Sequence, residues 1–161
     1  MAAPAPQPEL SPSLIDRLID MNPGSQRDPA VNPWQQGRDV QAALARDLTA
    51  LLNTRRAPAD FDTSYDESTN SLLTFGIVDF TSYNLKQGTA QEQLRRSIER
   101  AIRQFEPRLE RVTVSMDDAD QTRPILHFQV SGVLRTESHE PVVFEAALHR
   151  DSRRVSVSGG A

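Results

Sequence analysis

The chain of 161 residues has no cysteine. Disulfides, thiolate metal sites and a cysteine nucleophile are therefore excluded, and a reducing compartment fits. Its 3 histidines, His127, His139 and His149, lie far apart in sequence, so a metal centre lacks a ready third ligand. The 7 glycines stand singly except for Gly159 and Gly160, which leaves no loop to cradle a phosphate. Neither a Gly-x-Ser-x-Gly elbow nor a His-Glu-x-x-His pair occurs. No apolar run approaches the roughly 18 residues that a membrane span needs. The opening MAAPAPQPELSPS lacks the basic and apolar regions of a secretory signal. Positive charge is not in excess either: 18 Lys and Arg face 22 Asp and Glu, a net charge of -4, so there is no overall field for polyphosphate. Together these absences predict a soluble, cytoplasmic protein with no metal, no cofactor, no nucleic-acid partner and no direct insertion into membrane.

What is present divides into a thin beginning and a fuller remainder. Pro4, Pro6, Pro8 and Pro12 make residues 1–12 an extended tail. The stretch 13-SLIDRLID-20 then places Leu14, Ile15, Leu18 and Ile19 on one side of a short helix behind Ser11 and Ser13, either of which could cap it. A helix so short is marginal in water, so that face needs a surface to cover it. Residues 21–37, rich in Pro, Gly and Asn, read as a connector. We therefore expect 1–37 to form a tail, helix and connector, and 38–161 to form one domain.

Within that domain, 38–56 shows Val40, Leu44, Leu48, Leu51 and Leu52 in one stripe, with Asp39 early and Arg55 and Arg56 late, as the helix dipole favours. Residues 57–67 read as a loop, and 68-STNSLLTFGIVDF-80 as a helical turn ended by Gly76 and anchored by Phe80. A third helix follows. Thr89 and Glu92 form a capping-box pattern, and Leu94, Ile98, Ala101, Ile102 and Phe105 recur on one face. Arg95, Glu99 and Arg103 repeat every four residues on the outside, and Pro107 ends the helix.

Beyond Pro107 the period changes from 3.6 to 2. Val112, Val114 and Met116, then Leu126, Phe128 and Val130, then Val142, Phe144, Ala146 and Leu148, and finally Val155 and Val157 alternate with polar residues. Short polar connections imply consecutive antiparallel strands. The predicted class is α+β, with N-terminal helices packed on one face of a C-terminal antiparallel sheet of three or four strands.

A catalytic constellation does not stand out. His127 and His149 fall on the polar parity of their strands, and 117-DDAD-120 sits in a connector, where Asp is common for turn geometry. Glu106, Glu110 and Asp79 are candidate carboxylates of a kind that any chain of this composition supplies. The junction 104-QFEPRL-109 is more specific, because Pro107 holds Glu106 and Arg108 on a rigid corner. Alternation carried back from Met116 through Val112 puts Arg108 on the core-facing parity, where a guanidinium needs a partner. An intramolecular pair that shapes the corner and a contact with another protein both meet that need.

The stretch 103-RQFEPRLERVTV-114 resembles the helix-exit Glu-Pro-Arg motif of the TssE family, lysozyme-like wedge subunits of the type VI secretion baseplate that are similar to a wedge protein of contractile phage tails. Three other stretches agree in order: 12-PSLIDRLID-20, 46-RDLTALLNTRR-56 and 71-SLLTFGIVDF-80. The last departs at Val78, where many relatives have Pro. The resemblance implies a structural, non-enzymatic subunit of a cytoplasmic baseplate docked at the inner membrane complex. It further implies contacts with the wedge subunits TssF and TssG and with the first ring of the contractile sheath. Glu106, Pro107 and Arg108 match the motif implicated in subunit contacts.

Two more surfaces are expected to bind partners. The strand 153-RRVSVSG-159 offers an edge for strand addition through Val155 and Val157, with Arg153 and Arg154 guarding it when free. Leu14, Ile15, Leu18 and Ile19 are expected to meet TssF or TssG. The competing readings are a peptidoglycan hydrolase with Glu106 as acid, disfavoured by the lack of an export signal, and a cytosolic adaptor unrelated to secretion.

Overall fold

The computed structural model describes residues 18, 24, 33–56, 66–80, 87–116, 124–135 and 139–159. Helix α1 spans Pro33–Asn53, a four-residue helix α2 spans Asp66–Thr69, a 3-10 turn spans Leu72–Thr74 and helix α3 spans Gly88–Phe105. Strands β1 (Leu109–Met116), β2 (Ile125–Leu134), β3 (Pro141–His149) and β4 (Arg154–Gly159) follow in an antiparallel sheet of order β1-β2-β3-β4. The α+β class and the order of helices before strands are as predicted.

The apolar stripes face each other. Leu44, Leu48, Leu51 and Leu52 from α1 and Leu94, Ile98, Ala101 and Ile102 from α3 share one core with the inward residues of all four strands. Helix α1 lies against β4 and α3 against β1, so the pair covers one face of the sheet from both margins. Burial of Leu44, Leu52, Ile102 and Phe144 to about 1 % exposure or less contributes roughly 1.5–3 kcal/mol per side chain.

Three local expectations need correction. Helix α1 begins at Pro33 and not at 38, because proline is well accommodated in a first helical turn. It also ends at Asn53, so Arg55 and Arg56 lie beyond the last turn and its first turn holds no acid. The Thr89–Glu92 capping box does not form: α3 starts at Gly88 behind Gln87, which makes no side-chain cap. Glu92 is instead held by Arg95 and Arg96, both at 2.7 Å.

That pairing predicts a pH dependence. Hydrogen bonds from Arg95 first and Arg96 second hold the Glu92 carboxyl down to about 2, below its ordinary 4.5. A depressed acid stabilises the fold fully above its unfolded value and loses that contribution as pH falls through the folded one. The stability difference between wild type and Glu92→Gln, measured by urea titration, should shrink steadily from pH 5 towards pH 2. A difference that is constant over this range would deny the pair any role.

A bulge in β1 changes the parity of the junction. Pairing with β2 shifts between Glu110 and Thr113, where Arg111 adopts φ 51°. Val112 and Val114 are buried as expected, but the next inward residue is Leu109 and not Glu110. Arg108 therefore approaches the core from the turn after α3, not along a continuous strand.

Candidate functional site

Helix α3 delivers the corner. The Glu106 N–H donates to the Ile102 carbonyl at 2.9 Å, and the Leu109 N–H donates back to the Glu106 carbonyl at 3.2 Å, which turns the chain tightly into β1. Glu106 is 4 % exposed. Its carboxylate accepts from Arg108 Nε and Nη2, each at 2.6 Å, and Nη2 also reaches Asp47 Oδ2 of α1 at 2.7 Å. Arg46 donates to the other Asp47 oxygen at 3.0 Å. Paired carboxylates, Glu106 above all, raise the Arg108 guanidinium further above its ordinary range. The corner thus clamps α1 to the exit of α3 through a bidentate pair, and Pro107 at its tip is exposed.

Asp47 was not anticipated from sequence. It stands three residues after Leu44 and four before Leu51, on the stripe side of α1, and a carboxylate there signals a cation across the interface. Glu106 as a general acid is a poor fit, since both oxygens face Arg108 and the side chain is 5 % exposed.

A second element meets the edge of β4. Asn53 Nδ2 donates to the Val155 carbonyl at 2.8 Å, and the Val155 N–H donates to Asn53 Oδ1 at 3.0 Å. The amide therefore stands in for a neighbouring strand. Arg55 Nη2 donates to the Arg153 carbonyl at 2.8 Å, while its guanidinium lies 4.2 Å from the centre of the Phe80 ring. Arg153 belongs to the turn before β4, with φ 57°, and Arg154 opens the strand; both are exposed. Val155 is buried and Val157 half-buried. Because outward groups alternate along an antiparallel strand, Val157 and Gly159 carry the next outward N–H and C=O. Among the described residues no hydrogen-bond partner meets them. The opposite edge is dressed similarly: Arg103 donates to the Val112 carbonyl at 2.8 Å and Arg95 to that of Val114 at 3.4 Å.

Removing the Asn53 amide strands two backbone groups of β4. Asn53→Ala should cost about 1–2 kcal/mol in urea unfolding, and a midpoint equal to wild type would show that water replaces the amide without loss.

Of the other anticipated residues, Leu18 is 76 % exposed, whereas Leu14, Ile15 and Ile19 lie outside the described residues, as does 117-DDAD-120. His127 stands opposite Ala147 and His149 opposite Ile125, so the two are not paired across the hairpin. No group of three His, Asp or Glu among the described residues is placed to hold a metal ion, and no described helix is long and apolar enough to cross a membrane. An exposed pair that sequence reasoning missed, Leu72 (86 %) and Leu73 (56 %), lies on the 3-10 turn of the 71–80 stretch. These leucines fall on no periodic stripe, which was the available signal.

A family model described as baseplate wedge protein gp25 matches residues 38–139, most of the chain. The chain belongs to that family. Its match takes in α1 from Arg38, the corner and strands β1 and β2. The fold of this baseplate wedge protein is also that of a chain in a solved structure described as "The baseplate complex from the type VI secretion system". That superposition has a TM-score of 0.51 at 16 % identity and covers 70 % of this chain and 97 % of the other. No curated protein matches. Membership makes this wedge protein a structural component of a baseplate, and places its Glu-Pro-Arg corner and the Asp47 that clamps it within the shared region.

Proposed function

We propose that this wedge protein serves a contractile type VI secretion apparatus in the cytoplasm, joining the wedge subunits TssF and TssG to the first ring of sheath subunits at a baseplate docked on the inner membrane complex. The observation that carries the reading is the family match across 38–139. The protein works without catalysis, by holding partner surfaces at a fixed angle. Glu106 and Asp47 fix Arg108, Arg108 fixes the corner, and the exposed Pro107 with the rim of Arg108 meets a wedge subunit. Leu18, with Leu14, Ile15 and Ile19 beside it in sequence, supplies a second wedge contact, which Leu18→Asp should weaken.

Sheath attachment is assigned to β4. The Asn53 clasp occupies its first outward pair, so strand addition uses Val157 and Gly159. Deleting 153–161 would also remove the buried Val155, and a point change is therefore the better test. Val157→Pro removes one outward N–H from an edge strand, where proline is tolerated. Affinity purification from the native host, read by mass spectrometry, should recover TssF, TssG and sheath subunits with wild type. Val157→Pro should lose the sheath subunits alone. Recovery of none of these by folded wild type would overturn the baseplate reading in its type VI form.

A further inference from the structure

Between the C-terminal half of α1 and the turn into β4 runs an open groove lined by Arg46, Thr49, Asn53, Arg55, Arg153 and Arg154. Four arginines line it on a chain whose net charge is -4. Some of that charge is answered internally. Arg46 pairs with Asp47 at 3.0 Å, and Asp79 acts on Arg55. Arg153 and Arg154 are exposed, and neither forms an ion pair among the described residues. Crowding is felt within the groove: burial, and then the neighbouring charge of Arg153, lower the Arg55 guanidinium below its ordinary value. Such a cluster leaves attraction for a counter-charge unsatisfied.

The floor of the groove limits what fills it. Asn53 and Arg55 already take the outward groups at Val155 and Arg153, so that end of β4 offers side-chain cations and not backbone. Backbone becomes available one step further on, at Val157 and Gly159. A ligand that uses both regions has an extended peptide backbone at one end and carboxylates at the other. Nucleic acid has no groups that continue a β-ladder, and the overall negative charge opposes a long polyanion.

We infer that the groove and the adjoining β4 edge form one docking surface for an acidic peptide segment of a partner protein. A short extended run adds antiparallel at Val157–Gly159, and Asp or Glu residues C-terminal to it lie against Arg153 and Arg154. The order follows from direction, since β4 runs out of the groove and an antiparallel partner runs into it. This deepens the sheath-attachment reading, resting on the same edge, and adds the chemistry of the attaching segment.

The test is fluorescence anisotropy of the full chain with a labelled nonapeptide, Thr-Val-Thr-Val-Thr-Glu-Glu-Glu-Glu. Binding should weaken at least tenfold with Arg153→Glu combined with Arg154→Glu, both exposed and so compatible with folding, which circular dichroism checks. It should be unchanged in Arg100→Glu on the exposed side of α3, should fall with added salt, and should exceed binding of the reversed peptide. No binding, equal binding by the double variant, equal binding of the reversed peptide, or equal binding of a single-stranded DNA 12-mer through the same arginines would each overturn the inference. Failure here with sheath recovery intact leaves the baseplate reading standing. Peptide binding with no baseplate partners recovered does the reverse.

Discussion

Arg108→Ala is expected to lower stability by about 3–5 kcal/mol, the usual cost of removing one partner of a buried ion pair. The loss comes from what is left behind. Glu106 is 4 % exposed, and both its carboxylate oxygens face the guanidinium, so the alanine variant leaves a buried charge with the residue-108 N–H, at 3.2 Å from Oε1 of Glu106, as its remaining donor. Asp47, with 30 % of its side chain exposed, recovers solvent and adds little. Glu106→Gln should cost less than Arg108→Ala, because Arg108 is 20 % exposed and keeps Asp47. Replacing both charges, Glu106→Leu with Arg108→Leu, should also cost less than Arg108→Ala alone, since an apolar pair leaves no orphan. Urea titrations of the four proteins check the order, and an Arg108→Ala midpoint at the wild-type value would remove the clamp from the account of stability.

That order also separates shape from contact. A wedge subunit lost by Arg108→Ala says little if the variant is partly unfolded. If the more stable double-leucine variant retains wedge partners, the corner acts by positioning Pro107. If it loses them while folded, the guanidinium itself is a contact.

How much of this was legible depended on distance along the chain. Glu106 and Arg108 flank a proline, so their pairing follows from two residues of sequence. Asp47 joins them from 61 positions away, and only the meeting of α1 with the exit of α3 reveals it. The alternating strands were readable because one face is buried, yet period-2 counting carries no sign of the bulge at Arg111, which moved Leu109 inward in place of Glu110. Likewise 153–159 reads as a strand with an open edge. The clasp by Asn53 depends on the last turn of α1 lying beside β4, a tertiary fact with no local pattern. The capping box failed because the helix begins earlier than the pattern implies: with Gln87 at the N-cap, Thr89 already lies inside α3, and the Glu92 carboxylate is taken by Arg95 and Arg96.

Gly76→Ala should be the other severe substitution, costing about 3 kcal/mol or more and lowering the melting temperature by roughly 10 °C. Gly76 has φ 101°, a conformation L side chains rarely adopt. A Cβ there would lie 2.4 Å from the Thr54 carbonyl oxygen and 2.9 Å from its carbon, both backbone atoms that cannot swing aside. The same carbonyl accepts the Ile77 N–H at 3.0 Å, and the Arg56 N–H donates to the Ile77 carbonyl at 2.9 Å, a parallel bridge that ties the 71–80 stretch to the end of α1. Relieving the clash pulls that bridge apart and withdraws Ile77, 1 % exposed, from the core. It also shifts Arg55, the residue bridged to Ile77, from Phe80 and from the Arg153 carbonyl at the mouth of the basic groove. Gly88→Ala is the control. A Cβ at Gly88 meets nothing within 4 Å, so that change should be neutral or stabilising by up to about 1 kcal/mol. Equal melting temperatures for the two variants would mean that the 71–80 stretch can part from α1 without cost, and that Gly76 does not hold the β4 groove in place.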